Sequence, residues 1–253
     1  MTFTPKTLSC FVASAAILFG ASTSTAANRP APSARSVGPA QLEMQVLLDR
    51  ANFSSGEIDG KAGKNSREAL AAFQAAHGLA SGARSRKALL QALGAGTVKP
   101  IVSYTITAKD AAGPCNKTIP EDATEQSKLP GLYYTSVQEE LAGKYHSAQA
   151  LLKRLNPRAR FIAGEHIRVP NVLGAEPVAL AGAVKIVVSK KASVLMVYDR
   201  EGQVIFYAPV TCGSEHDPLP FGNWVITDVV RNPIYNYNPN LFWDADPANA
   251  KVK

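Results

Sequence analysis

Val210 to Trp224 reads VTCGSEHDPLPFGNW and sets a cysteine, a histidine and an aspartate close together. Cys212 as a thiolate nucleophile, His216 as its base and Asp217 as the orienting carboxylate would make a thiol acyl-transfer site. Two features weigh against this assignment. Dyad partners normally come from separate segments that the fold brings together, and no helix N-terminus is predicted beside Cys212 to lower its pKa. Asp217 is equally suited to capping a turn. A Cys-x-x-x-His metal site lacks its remaining ligands. The stretch is expected to be a strand end followed by a Pro-rich turn, with no metal and no cofactor.

Other residues invite chemical readings. Near the end of the chain, Tyr235, Tyr237, Phe242 and Trp243 alternate with Asn236, Asn238 and Asn240. Tyr235, Tyr237, Asn238 and Trp243 are the substrate-binding candidates, since aromatics among amides suit a polar cleft; covering a sheet edge is the other reading. Cys115 and Cys212 could form one disulfide in an oxidising compartment, or stand as two unrelated thiols. His146 and His166 are each isolated in sequence and read as surface or capping residues.

These residues must be positioned by regular elements, and the first segment is not one of them. Lys6, the apolar run Leu8–Ala21 and the small residues before Ala27 form an export signal over 1–27. The apolar run is shorter than the ~20 residues that span a bilayer, so no membrane span is expected after its removal. Residues 28–40 are a Pro/Ala/Ser linker. Leu42, Met44, Val46, Leu47, Leu48 and Ala51 place apolar side chains over one broad helix face. Asp59-Gly60 marks a turn, Asn65 and Glu68 have capping-box spacing, and Ala69, Leu70, Phe73 and Ala76 recur at helical spacing. Gly78 ends this helix, and a third short helix closes at Gly94.

A strand at Ser103–Thr107, helices in VQEELAGKYH and SAQALLKRLNP, and a strand in GEHIRVPN give the order βααβ. From Ala183 the period switches to two in KIVVSKK, SVLMVYD, QVIFYAPVTCG and NWVITDVV, which suggests an antiparallel meander.

Three resemblances follow from these residues. Leu42, Gln45, Leu48, Phe53, Gly56, Asp59, Gly60, Gly63, Ser66, Ala69, Phe73, Gln74, Gly78 and Leu79 resemble the three-helix peptidoglycan-binding domain of cell-wall enzymes. Tyr104, Ile106, Val137, Leu141, Ala142, Tyr145, Leu151, Leu152, Leu155, Asn156, Pro157, Gly164, Ile167, Val169 and Pro170 resemble a LysM domain. There the chain inserts Ala111–Leu132, with Cys115, where that family has a short Gly-Asp-Thr turn. Thr211, Gly213, Pro218, Pro220, Gly222 and Trp224, behind the preceding strands, resemble the N-terminal half of an L,D-transpeptidase catalytic domain. That family's reaction uses a cysteine thiolate, activated by a histidine, to form an acyl-enzyme with a wall stem peptide. The nucleophile stands in an S-H-G-C-x-R element, which this sequence does not contain.

The expected fold is therefore multidomain α+β. A peptidoglycan-binding domain spans 41–94, a linker 95–102, a βααβ LysM-like domain 103–172 with its insertion at 111–132, a linker 173–182, and a β-rich partial L,D-transpeptidase catalytic domain 183–253. The last segment is expected to expose an unpaired strand edge. The expected function is an exported, periplasmic or wall-located peptidoglycan-binding protein, inactive as it stands because the catalytic motif would lie beyond Lys253. The alternative is a non-catalytic wall-binding or scaffolding protein with a degenerate catalytic domain. Peptidoglycan, through glycan strands and stem peptides, is the implied partner. The net charge of +7 is spread along the chain rather than gathered in a stripe, so nucleic acid is not expected.

Overall fold

The computed structural model describes residues 38–79, 83–173, 182–213, 216, 219–230 and 238. Helix α1 (Pro39–Arg50) starts with Pro39, whose fixed φ suits the first helical turn. Its apolar residues do not form one face. Leu42 and Val46, four apart, enter a core with Leu141, Tyr145, Leu152 and Ile167. Leu47 and Leu48 point to roughly the opposite side. They enter a second core with Phe53, Ala69, Phe73 and Tyr207. An α-helix apolar on both sides must be buried on both sides, and α1 is the partition between the two cores.

Helix α2 (Lys64–Ala76) buries Ser66, Ala69 and Phe73 along one stripe, and α3 (Ala83–Ala92) precedes Leu93, which joins the same core. Phe53 and Phe73 meet edge to face with centroids 5.3 Å apart, and His77 stacks on Phe73. The expected Asn65–Glu68 capping box is not used. The N-cap of α2 is Gly63, without a side-chain cap, and Glu68 pairs with Lys64 instead.

The loop entering α2 is held from outside, by Gln45 of α1. The Gln45 Oε1 accepts from the amides of Asp59 (3.2 Å) and Gly60 (2.7 Å). Its Nε2 donates to Asp59 Oδ1 (2.9 Å), the Lys61 carbonyl (3.3 Å) and Ser66 Oγ (3.2 Å). Gly60 takes φ +72°, where a side chain would be strained. One buried amide thus fixes a turn and a helix start together.

Strand β1 (Ile101–Thr105) pairs antiparallel with β2 (His166–Pro170). It begins two residues before the expected Ser103, because Ile101 and Val102 find partners in Pro170 and Val169. Between them lie α4 (Ala108–Ala112), α5 (Ala123–Ser127), α6 (Val137–Lys144) and α7 (Gln149–Leu155). Short α4 and α5 carry the inserted stretch, and α6 and α7 supply the core. Asn156 ties α7 to β2: its amide donates to the Leu152 and Arg168 carbonyls, and its Oδ1 accepts from the Arg168 amide at 2.7 Å.

The remaining strands, β3 (Lys185–Ser189), β4 (Val194–Tyr198) and β5 (Val204–Pro209), form an antiparallel meander in the order β3-β4-β5. Among the described residues the open edge is β3, with Ile186 and Val188 exposed. At the other edge, residues 52–54 run parallel to β5. The Tyr207 amide donates to the Asn52 carbonyl (2.9 Å) and the Ser54 amide to the Tyr207 carbonyl (2.8 Å). Val194 and Tyr207 complete the core of α2, so the sheet shares its interior with the helices. NWVITDVV is not a strand. Residues 223–230 find no partner strand among the described residues, and Trp224, Val225 and Val229 are exposed.

Two outcomes are expected. Gln45→Ala leaves buried amides unsatisfied and lowers stability by about 2 kcal/mol; denaturant titration reads this, with Ser66→Ala expected to be milder. Chymotrypsin cuts at Phe221 and Trp224 before any bond in β3–β5, and the sheet co-elutes with the helices on size exclusion. Early release of a free β3–β5 fragment would contradict the shared core.

Candidate functional site

The end of α1, the loop after it, the α6–α7 turn and β5 converge on a groove of about 570 Å³. Backbone bonds fix its walls. The Ile58 amide donates to the His146 carbonyl (2.8 Å) and the Ala148 amide to the Ile58 carbonyl (3.0 Å), laying the loop along the α6–α7 turn. Asn52, Gly56 and His146 all have positive φ, so the groove is built where the chain reverses direction. Gly56 is also where the loop approaches β5; a Cβ there would lie 3.3 Å from Pro209 Cγ.

The groove presents two aromatic side chains, Tyr134 and Phe206, with carboxylates Asp49, Glu57 and Glu139 around them. Tyr134 lies over α6 because residue 143 is glycine: a Cβ on Gly143 would sit 2.8 Å from the Tyr134 hydroxyl. Two of the carboxylates are engaged. Asp49 Oδ2 accepts from His146 Nδ1 at 2.9 Å. Glu139 Oε2 accepts from the Thr135 amide at 2.7 Å and from the Thr135 hydroxyl, bonds that hold its pKa below the usual carboxylate range. Glu57 keeps its carboxylate unengaged among the described residues and also lines an adjoining cleft of about 430 Å³ with Lys61, Lys64 and Ser55. Ser55 Oγ is buried there without a hydrogen-bond partner.

A second charged cluster has a different role. Burial pushes the Asp110 carboxyl up, but hydrogen bonds from Lys144 (2.8 Å), Tyr104 (2.6 Å) and Thr107 (2.7 Å) outweigh it and hold the group well below the usual range. Burial pulls the Lys144 ammonium down, and Asp110 with Tyr104 more than reverses this. Burial pushes the neighbouring Tyr145 hydroxyl up to about 12. At neutral pH Asp110 stays ionised and Lys144 protonated, so the cluster clamps α4 to α6.

None of the sequence-derived candidates among the described residues, Cys115, Cys212, His216 and Asn238, lines the groove. Cys212 is buried, and its thiol approaches the Ser189 carbonyl at 3.9 Å. His216 is exposed, and Asp217 lies outside the described residues. Cys115 is exposed and Cys212 buried, both as free thiols, so the Cys115–Cys212 disulfide is not formed. Tyr235, Tyr237 and Trp243 lie outside the described residues, and Asn238 is half-buried. His166 is exposed and pairs with the Thr105 hydroxyl at 2.9 Å. Sequence reasoning missed Asp49, Tyr134 and Phe206; His146, read as a surface or capping residue, is exposed and pairs with Asp49. Gly56 and Ala142, each within its matched pattern, pointed toward this region.

The Asp49 hydrogen bond raises the His146 pKa above its ordinary value of about 6.5, with burial opposing. A group raised on folding stabilises fully below its unfolded pKa, and that contribution is lost as pH rises through the folded value. The expected NMR titration midpoint of His146 is above ~6.5 and moves down in Asp49→Asn. The same substitution flattens the fall in stability as pH rises from below ~6.5. An unchanged midpoint would remove Asp49 as the cause.

Comparison with known families places these elements. Residues 183–253 match the family model of the L,D-transpeptidase catalytic domain, YkuD. Residues 38–82 match that of the peptidoglycan binding domain. No curated protein matches the sequence. The groove is lined from both matched segments, by Asn52 and Glu57 of the first and Phe206 of the second, and from residues 134–149 between them. The chain thus joins a region similar to peptidoglycan-binding domains with one similar to L,D-transpeptidase catalytic domains, a pairing that supports a cell-wall function.

Proposed function

We propose that this is an exported, wall-located protein that binds peptidoglycan and presents part of an L,D-transpeptidase catalytic domain to it. The observation that carries this reading is the joint at residues 52–54. There the segment similar to peptidoglycan-binding domains supplies the backbone that closes the edge of β5. A binding module fused in this way holds the sheet at a fixed position on its ligand. The region between the two matched segments supports a LysM-like reading, because β1 and β2 pair antiparallel around α6 and α7 and Asn156 locks the second helix to β2. The leader over 1–27 supports export.

For these 253 residues the chemistry is binding without turnover. The S-H-G-C-x-R element is not among them. Cys212 is a poor replacement nucleophile, because its thiol is buried and directed at the Ser189 carbonyl, and no helix N-terminus stands beside it among the described residues. This favours the binding and scaffolding role over catalysis by the chain itself. The leader-free chain is expected to sediment with isolated sacculi and to release no D-alanine from a stem tetrapeptide. Failure to sediment removes the wall-binding reading. Release of D-alanine that survives Cys212→Ala removes the claim of inactivity, and release abolished by Cys212→Ala moves the nucleophile to Cys212.

A further inference from the structure

We infer that the groove between α1, the α6–α7 turn and β5 holds a short run of a neutral, N-acetylated glycan strand, touching the helical part and the sheet at once. The inference rests on the wall-binding reading and gives it a site that no single segment possesses. The chain carries +7, yet among the described residues no Lys or Arg lines this groove. Phosphate-bearing polymers and lipid headgroups would meet Asp49, Glu57 and Glu139 there with no Lys or Arg to receive them and with His146 already engaged by Asp49, which disfavours them.

What remains suits a sugar. Two carboxylates are already held, by His146 and Thr135. Glu57 and Asn52 make no side-chain hydrogen bond among the described residues, and both line the groove. Glu57 can accept from sugar hydroxyls, while Asn52 can both accept and donate to an acetamido group. Tyr134 and Phe206 offer ring faces of the kind on which the apolar face of a pyranose stacks. A volume of about 570 Å³ lies within the range of small-ligand sites. The walls are fixed by backbone bonds rather than mobile side chains, which lowers the ordering cost of binding.

Gly143 makes the proposal testable without unfolding the protein. It lies within α6 and its φ is not positive, so alanine suits its backbone, while the new Cβ would displace the Tyr134 ring from the groove. The probe is a soluble β-1,4-linked N-acetylglucosamine tetramer, titrated into the leader-free chain and followed by amide shifts. Shifts centred on Gly56, Gly143 and Phe206 are expected. Phe206→Ala and Gly143→Ala should each weaken binding about fivefold or more, with the Gly143→Ala melting midpoint unchanged or raised.

The inference is overturned if the shifts map elsewhere, if no shifts occur, or if both variants bind as the parent does. It also falls if a free stem peptide, rather than the tetramer, moves these amides. Parallel sedimentation with sacculi separates the two claims. Sacculus binding without a groove response sinks the inference and leaves the wall-binding reading standing. A groove response to the tetramer without sacculus binding supports the inference and sinks that reading.

Discussion

Helix α1 has to bury two opposite sides, and the rest of the molecule is arranged to let it. Val46 and Leu48 are fully buried, on different cores. Each such side chain contributes about 1.5–3 kcal/mol when removed from water. A three-helix module alone can cover one side of α1. The second side needs the α6–α7 pair and β2, so the βααβ region is packed onto the first module rather than tethered to it. Gln45 extends the constraint, because a helix held on both sides is a stable support for the turn that starts α2.

The same packing explains how the sheet is stabilised. A three-stranded meander of this length has little interior of its own, and isolated small sheets are marginal. Tyr207 and Val194 solve this by entering the core of Phe53 and Phe73. Residues 52–54 then cap one edge with two backbone hydrogen bonds. The cost is positional freedom: the sheet cannot swing relative to the helices without breaking those bonds and exposing Tyr207. The opposite edge, β3, has no such cover among the described residues, and Ile186 and Val188 remain exposed, as do Phe221, Trp224 and Val225.

Much of the fold was legible because it depends on local pattern. The spacing of Ala69 and Phe73 marks α2, period-two runs mark β3 to β5, and Asn156-Pro157 marks the end of α7. What was hidden depends on pairs far apart in sequence. Asp49 and His146 meet across 97 positions, and neither residue type announces the other. The two faces of α1 look like one broad face because Leu and Val carry no label for which core they enter. Asn65 and Glu68 had the right spacing for a cap, yet Gln45 from another helix already fixed the turn. NWVITDVV has strand composition, but a strand also needs a partner. The cysteine and histidine near Cys212 were close in sequence, and closeness in sequence was their whole case.

The distribution of charge bears on how such a protein would find and read its polymer. On the wall-binding reading, a net +7 would draw the chain toward an anionic surface over distances near the Debye length, and this attraction is insensitive to detail. A groove lined by the same cations would bind any polyanion it met. Keeping Lys and Arg out of the groove separates attraction from recognition. Lys61 and Lys64 stand in the adjoining cleft, across Glu57, rather than in the groove. The Asp49–His146 pair fits this arrangement, since it ties α1 to the α6–α7 turn and, when His146 is protonated, cancels charge inside the groove. Raising the pH through the His146 pKa would return a negative charge to the groove and weaken that tie together. On the glycan reading, salt should therefore weaken encounter with the wall far more than contact within the groove, because screening acts on exposed charges and not on stacked rings.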